Sequence, residues 1–462
     1  MKNPGKLGLL GLTMISIAAI TSLRSLPMMS GYGLTSIAYF LAVATIFFIP
    51  AALISAELAT AWPQKGGVYV WVSKAWGDRI GFLAIWLQWI QSVIWYPIVL
   101  SFAASSLAYA IDPNLAKSKL FTLLVILSAY WMGTFANFFG VKYAGFVSSI
   151  ALLIGTIIPA ILIIIFGGWW LFQGGSSEIP ITKAALIPHP DGISSLVVVA
   201  GVLITFVGIE MSASHAKDTQ DPEINYPRAI FIATGIVLAL YTLGTIVVGV
   251  ILPSSELNMV SGLIEAFTIY LKDYDLTFFL PLIACAIALG VFGQVSSWIS
   301  GPSKGLLNAA QQGYLPKVLR EVNDHGVQVH ILFLQGGIVS ILSLIFIFIP
   351  SIDIAYWILS MLCANLYLTM YILMFTAAIR LRYTHPNVKR AYSVPGGNAG
   401  MWIAGSMGAI GALCTIAISY IPPSQFPDLS ADFYRGFLGV GLITLCIPPF
   451  VLYAMRHKFR GK

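Results

Sequence analysis

The chain has 462 residues, 58% hydrophobic and 9% charged, with a mean hydropathy of +0.87. A soluble chain carries about 25% charged residues, so this composition excludes a soluble globular protein and indicates a polytopic membrane protein. The formal net charge of +7 is dispersed among short loops, which fits membrane topology and not a nucleic-acid surface.

A membrane-crossing helix needs about 20 apolar residues. Such runs fall near 7–29, 34–61, 80–111, 119–138, 144–172, 193–216, 227–252, 276–311, 328–349, 353–382, 399–421 and 433–456, twelve in all. Lys2 and Lys6 precede the first run, but no small-residue cleavage site follows, so no cleavable signal peptide is expected. If the N-terminus is cytoplasmic, the inner loops and tails collect Lys65, Lys74, Arg79, Lys142, Lys217 and Arg228 in the first half. Arg380, Arg382, Lys389, Arg390, Arg456 and Lys458 follow in the second. The outer loops hold fewer bases, Arg24, Lys117, Lys119, Lys183, Lys272 and Arg435, and are rich in acids such as Asp112, Glu178, Glu256 and Asp353. The positive-inside bias therefore places both termini in the cytoplasm and supports an even number of spans.

The first run is interrupted near Ser16-Ile17-Ala18-Ala19, where small and polar residues replace oily ones. The second ends in Ser55-Ala56-Glu57-Leu58-Ala59-Thr60, and Glu57 reads as an interfacial residue pairing with basic loops. In the third run Gln88, Gln91, Ser92, Trp95 and Tyr96 share one helical face at mid-depth. That face either lines a cavity or makes interhelical hydrogen bonds.

The sixth run is interrupted more sharply, at Phe206-Val207-Gly208-Ile209-Glu210-Met211-Ser212-Ala213-Ser214-His215. A charge at that depth costs at least about 2.5–3.5 kcal/mol. Broken helices tolerate it because the freed backbone lines a cavity and not lipid. Glu210 either caps that backbone or carries a proton, and the two roles are compatible. His215 reads as a solvated residue at the helix end. In the eighth run Gly290 to Pro302 is rich in small residues, which permit close helix contact. Trp298 lies too deep there for an interfacial belt and is placed to close over a substrate.

Cys285, Cys363, Cys414 and Cys446 all fall inside apolar runs without a CxxC pair, and read as small hydrophobes. No nucleophile elbow, Walker loop or zinc-protease signature occurs, so neither an enzyme nor an ATP-driven pump is expected. No metal or cofactor is implied. Transport must then be driven by gradients. The breaks in the first and sixth runs lie five spans apart, and an odd offset inverts the second unit relative to the first, with a site at the midplane.

These segments resemble the amino acid–polyamine–organocation transporters. The resemblance is carried by Glu57-Leu58-Ala59 with Pro63 to Tyr69, Asn137 to Lys142, Phe206 to Ala213, Trp298 to Gly305, and His385 to Arg390 with Val394 to Gly397. Within that superfamily, Ser212 to His215, Ser297 to Ser303 and Lys389 to Gly397 resemble the bacterial glutamate/γ-aminobutyrate antiporters. The resemblance implies that unwound backbone holds the α-carboxylate and α-amino groups. Here that backbone is Ser16, Ile17, Ala18, Ala19 and Ile20, with Ile204, Thr205, Phe206 and Gly208. It also implies that Gln91, Ser92 and Tyr96 touch the substrate side chain and that Trp298 lines the chamber. Related exchangers carry an aromatic gate where this chain has Ile204; the glutamate/γ-aminobutyrate group is aliphatic there too. At the outer end of the first run that group has aromatic and acidic residues, where this chain reads Leu23, Arg24, Ser25, Leu26 and Pro27. Arg24 is read as marking the outer rim in preference to attracting an anionic side chain. The plug that closes the vestibule in the acid-resistance member has no counterpart before Lys462, so acid gating of that kind is not expected.

The resulting expectation is an all-α integral membrane protein of twelve transmembrane helices. It has a five-plus-five inverted repeat with broken helices 1 and 6, plus two accessory helices. One domain covers 1–462, with repeat one about 7–172, repeat two about 193–382 and accessory helices about 399–456. The expected function is secondary active amino acid transport in a bacterial inner membrane, by glutamate/γ-aminobutyrate-like exchange. A proton-coupled symporter of neutral amino acids is the alternative, and a non-transporting nutrient receptor is an alternative of another class. The expected partners are a small amino acid and the lipid bilayer, with H⁺ coupling as an option and no nucleic acid. Monomer and homodimer are both left open.

Overall fold

The computed structural model describes residues 8–63, 66–138, 150–187, 194–211, 219–253, 257–423, 426–427 and 429–460. Regular structure among them is helical. Among the described residues, ten helices are long and apolar enough to cross a membrane. They are Thr35–Ala61, Asp78–Ile111, Lys119–Phe138, Ile150–Phe172, Ile224–Ile251, Thr277–Gln311, Val329–Phe348, Ile352–Thr384, Gly397–Ser419 and Ala431–Ala454. Two further segments are interrupted and fall in the first and sixth predicted runs. Leu9–Ile20 is followed by Ser25–Ser30, and Ser194–Thr205 by a single 3-10 turn over 209–211.

The helices sort by depth in the bundle. The most apolar stretch of Ile352–Thr384 is 83% buried, whereas that of Ala431–Ala454 is only 11% buried. The first is thus central and the second peripheral. Asp78–Ile111 packs against both Leu280–Gln311 and Ile352–Thr384 and forms the spine of the molecule. Large apolar side chains such as Leu41, Phe172, Phe348 and Ile443 point outward and remain exposed. In water such a surface would aggregate; against lipid tails it is solvated.

Prolines shape two of the spans. A π-turn at Ala44–Phe48 precedes Pro50, and another at Leu153–Ile157 precedes Pro159. A proline ring clashes with the carbonyl four residues back, and the wider turn makes room for it.

Three features depart from the sequence expectation. The first break lies at 21–24, after the predicted Ser16 to Ile20, which remain helical. The hydroxyl of Ser16 donates to the Leu12 carbonyl at 2.9 Å, so the polar residue is satisfied inside the helix and does not open it. Thr21 then turns extended, with φ −70° and ψ 123°. Two segments placed in loops form short helices, Val68–Trp76 and Gly262–Asp273. Both mix charged and apolar residues over too few turns to register as spans.

Candidate functional site

The two breaks are held open by tyrosines from other helices. In the first, the Tyr241 hydroxyl accepts from the Ser22 N–H at 2.9 Å and donates to the Ile20 carbonyl at 2.8 Å. The Gln294 amide donates to the Thr21 carbonyl at 3.1 Å. In the second, the Tyr371 hydroxyl accepts from the Gly208 N–H at 2.9 Å and also donates to Glu210. Gly208 sits at φ +109°, a conformation that side chains other than hydrogen rarely adopt. Backbone groups freed in a low-dielectric interior need such partners.

Glu210 is 2% exposed and accepts from three donors on two other helices. These are the Gln88 amide at 3.2 Å, the Tyr367 hydroxyl at 2.5 Å and the Tyr371 hydroxyl. The carboxylate therefore ties the sixth-run break to Asp78–Ile111 and Ile352–Thr384. Ser212, Ala213, Ser214 and His215 lie outside the described residues.

A cavity opens between the two breaks. Ile20, Ser22 and Arg24 face it from the first, and Ile204, Thr205 and Val207 from the second. Gln91 and Trp95 form one wall, and Gln294 and Trp298 another. Trp95 and Trp298 pack at 5.3 Å between ring centroids, so the two walls meet there. Cys363, Ala364 and Tyr367 close the remaining side. Cys363 is therefore more than helix filler: its thiol lies 3.4 Å from the Gln91 carbonyl and side-chain oxygens.

The structure sorts the predicted residues. Ile20, Gln91, Ile204, Thr205 and Trp298 line the cavity. Ser16 and Ile17 are buried one to two turns away from the break, in a helix that Ala18 and Ala19 continue. Ser92 and Tyr96 stand behind the wall: Ser92 bonds the Gln88 carbonyl at 2.9 Å, and Tyr96 donates to the Trp298 carbonyl at 2.9 Å. Phe206 turns away into an aromatic cluster, stacked on Phe48 at 4.7 Å. Gly208 shapes the break and gives its N–H to Tyr371.

Arg24 is corrected outright. It is not a rim residue but 7% exposed, within the first break and facing the cavity. Ser22, Tyr241, Gln294, Tyr367 and Tyr371 were also missed. The signal for the tyrosines was present, because a hydroxyl in mid-span demands a partner. Which helix would supply that partner was not legible.

At one end of the bundle Glu57 pairs with basic residues, as expected. It accepts from Arg382 at 2.7 and 2.6 Å, from the Val394 N–H at 2.7 Å, and lies 3.0 Å from Arg390 Nε. This buried cluster joins Thr35–Ala61 to Ile352–Thr384 and to the segment that follows it.

Comparison with known proteins gives the same direction. Residues 7–443 match the amino acid permease family. An uncharacterised transporter of Legionella pneumophila is 41% identical over 451 residues, 98% of this chain and 97% of that protein. A glutamate/γ-aminobutyrate antiporter of Lactococcus lactis is 30% identical over 462 residues, 99% of this chain and 92% of the relative. A cadaverine/lysine antiporter of Escherichia coli is 25% identical over 282 residues, 60% of each chain.

Proposed function

The chain belongs to the amino acid permease family and is a multi-pass membrane transporter, not an enzyme; on that premise we propose that it exchanges amino acids by alternating access. The observation that carries this reading is the cavity shared by the two helix breaks, with aromatic and amide walls. Backbone at helix breaks is suited to bind a carboxylate through N–H groups and an ammonium through carbonyls; here the Ser22 and Gly208 N–H groups and the Ile20 and Thr21 carbonyls are held by Tyr241, Tyr371 and Gln294. The two breaks are the centres of an inverted repeat, about 7–172 and 193–382, with accessory helices after it. Both termini face the cytoplasm, and a bacterial inner membrane is the site of action.

Glutamate and γ-aminobutyrate are the first exchange pair to test, because a relative matching nearly the whole chain carries that name. The substrate contacts proposed are Ile20, Gln91, Ile204, Thr205 and Trp298, joined by Ser22 and Gln294. A second reading, proton-coupled symport, rests on the buried Glu210 carboxylate. Uptake into proteoliposomes separates the two. Exchange requires a counter-substrate inside the vesicle; symport proceeds on an imposed pH gradient alone. Binding with no flux under either condition would support a receptor and overturn both.

A further inference from the structure

We propose that Arg24 determines specificity in this cavity by holding a carboxylate on the substrate side chain, so that the transported amino acids are acidic. The proposal rests on the reading above only in taking an amino acid as the occupant.

Arg24 carries a charge that no described acidic side chain neutralises. Among the described residues no aspartate or glutamate lies within ion-pair distance of it. Its Nη1 donates to the Tyr356 hydroxyl at 3.0 Å, and the Tyr356 ring lies 5.8 Å from the guanidinium carbon. A neutral hydroxyl and a ring face share the charge without cancelling it. Its Nε has no hydrogen-bond partner. A guanidinium cannot shed its proton as a buried lysine can. The buried carboxylate of the second break is already committed, since Glu210 accepts from Gln88, Tyr367 and Tyr371. Among the described residues, Arg24 is the only charged side chain lining the cavity; Gln91, Gln294, Trp95 and Trp298 are neutral.

A buried, unpaired cation facing a cavity calls for an anion inside it. The α-carboxylate of an amino acid does not answer that need, because the substrate's own α-ammonium balances it. A side-chain carboxylate does: it brings one net negative charge and suits the planar guanidinium fork. Cationic amino acids and polyamines are repelled by the same group.

The test uses the full chain, purified and reconstituted. Thermal-shift binding and counterflow are measured for glutamate, aspartate, glutamine, asparagine, alanine and lysine. Glutamate should outcompete glutamine by about 10-fold or more, since a polar site rejects analogues that leave it unpaired. R24Q should erase that discrimination by weakening glutamate, whereas R24K should retain part of it. Equal competition by glutamine and glutamate in the unmodified protein overturns the proposal, as does a folded R24Q that still discriminates. Should R24Q fail to fold, the panel on the unmodified protein decides alone. Exchange of neutral or cationic amino acids without acidic ones removes the role of Arg24 and leaves the transporter reading standing. Failure of every amino acid to bind or move removes both.

Discussion

At the scale of single residues, two opposite charges sit in the breaks under different terms. Glu210 is satisfied by three donors, each hydrogen bond to a charged group contributing about 1.5–3 kcal/mol. Arg24 has only Tyr356 among described side chains. Glu210→Gln would set an amide donor against hydroxyl and amide donors, at a cost of about 1–3 kcal/mol per unmet group. We expect it to reduce flux and to flatten any pH dependence across about pH 5 to 8. Tyr371→Phe removes one donor but leaves the carboxylate. It should lower flux and, if Glu210 moves a proton, retain a pH dependence displaced from that of the unmodified protein, and proteoliposome flux measured at each pH reads the difference. Unchanged flux in a well-folded Glu210→Gln protein would remove the residue from the mechanism. Glu210 was legible in the sequence because a carboxylate in an oily run is an anomaly by itself. The depth of Arg24 was not legible, since a base near the end of a run reads as a loop charge.

Between elements, glycine sets how closely the helices approach. A Cβ on Gly155 would lie 2.2 Å from the Ala286 carbonyl oxygen and 2.3 Å from the Gly290 Cα. The helices Ile150–Phe172 and Thr277–Gln311 therefore meet backbone to backbone, which small residues allow. Gly155→Val should destabilise the protein by about 1–3 kcal/mol through overpacking. Gly168 is on the same helix and faces open space, so Gly168→Ala should leave the melting temperature in detergent unchanged or slightly higher. Equal melting of the two variants would show that the pair can separate freely. The small-residue run around Gly290 indicated a close contact in the sequence, but its partner across the bundle could be identified only once the helices were placed.

Over the whole molecule, alternating access requires a seam that opens. The Glu57 cluster joins Thr35–Ala61 to Ile352–Thr384 through Arg382 and Arg390. The side chains are only 2%, 10% and 9% exposed, so this is a buried ionic contact and not a surface pair. Removing one partner of such a pair costs about 3–5 kcal/mol. Glu57→Gln should therefore favour the conformation open at this end. Labelling of a cysteine introduced into the cavity wall, with reagent added from each side of the vesicle in turn, measures the shift. Labelling that does not change from either side would make the cluster a fixed strut.

Local sequence alone determined the membrane class, the extent of the long spans, the existence of two interruptions and the anomaly at Glu210. Each follows from hydrophobic run length and from the cost of charge within it, which neighbours in the chain already express. Tertiary structure decided that the first helix runs on to Ile20, that Ser92 and Tyr96 stand behind the cavity, and that Arg24 stands inside it. Those outcomes depend on groups hundreds of residues away, such as Tyr241 on Ser22 and Tyr356 on Arg24. A freed backbone or a buried charge is stable only where such a partner is brought to it.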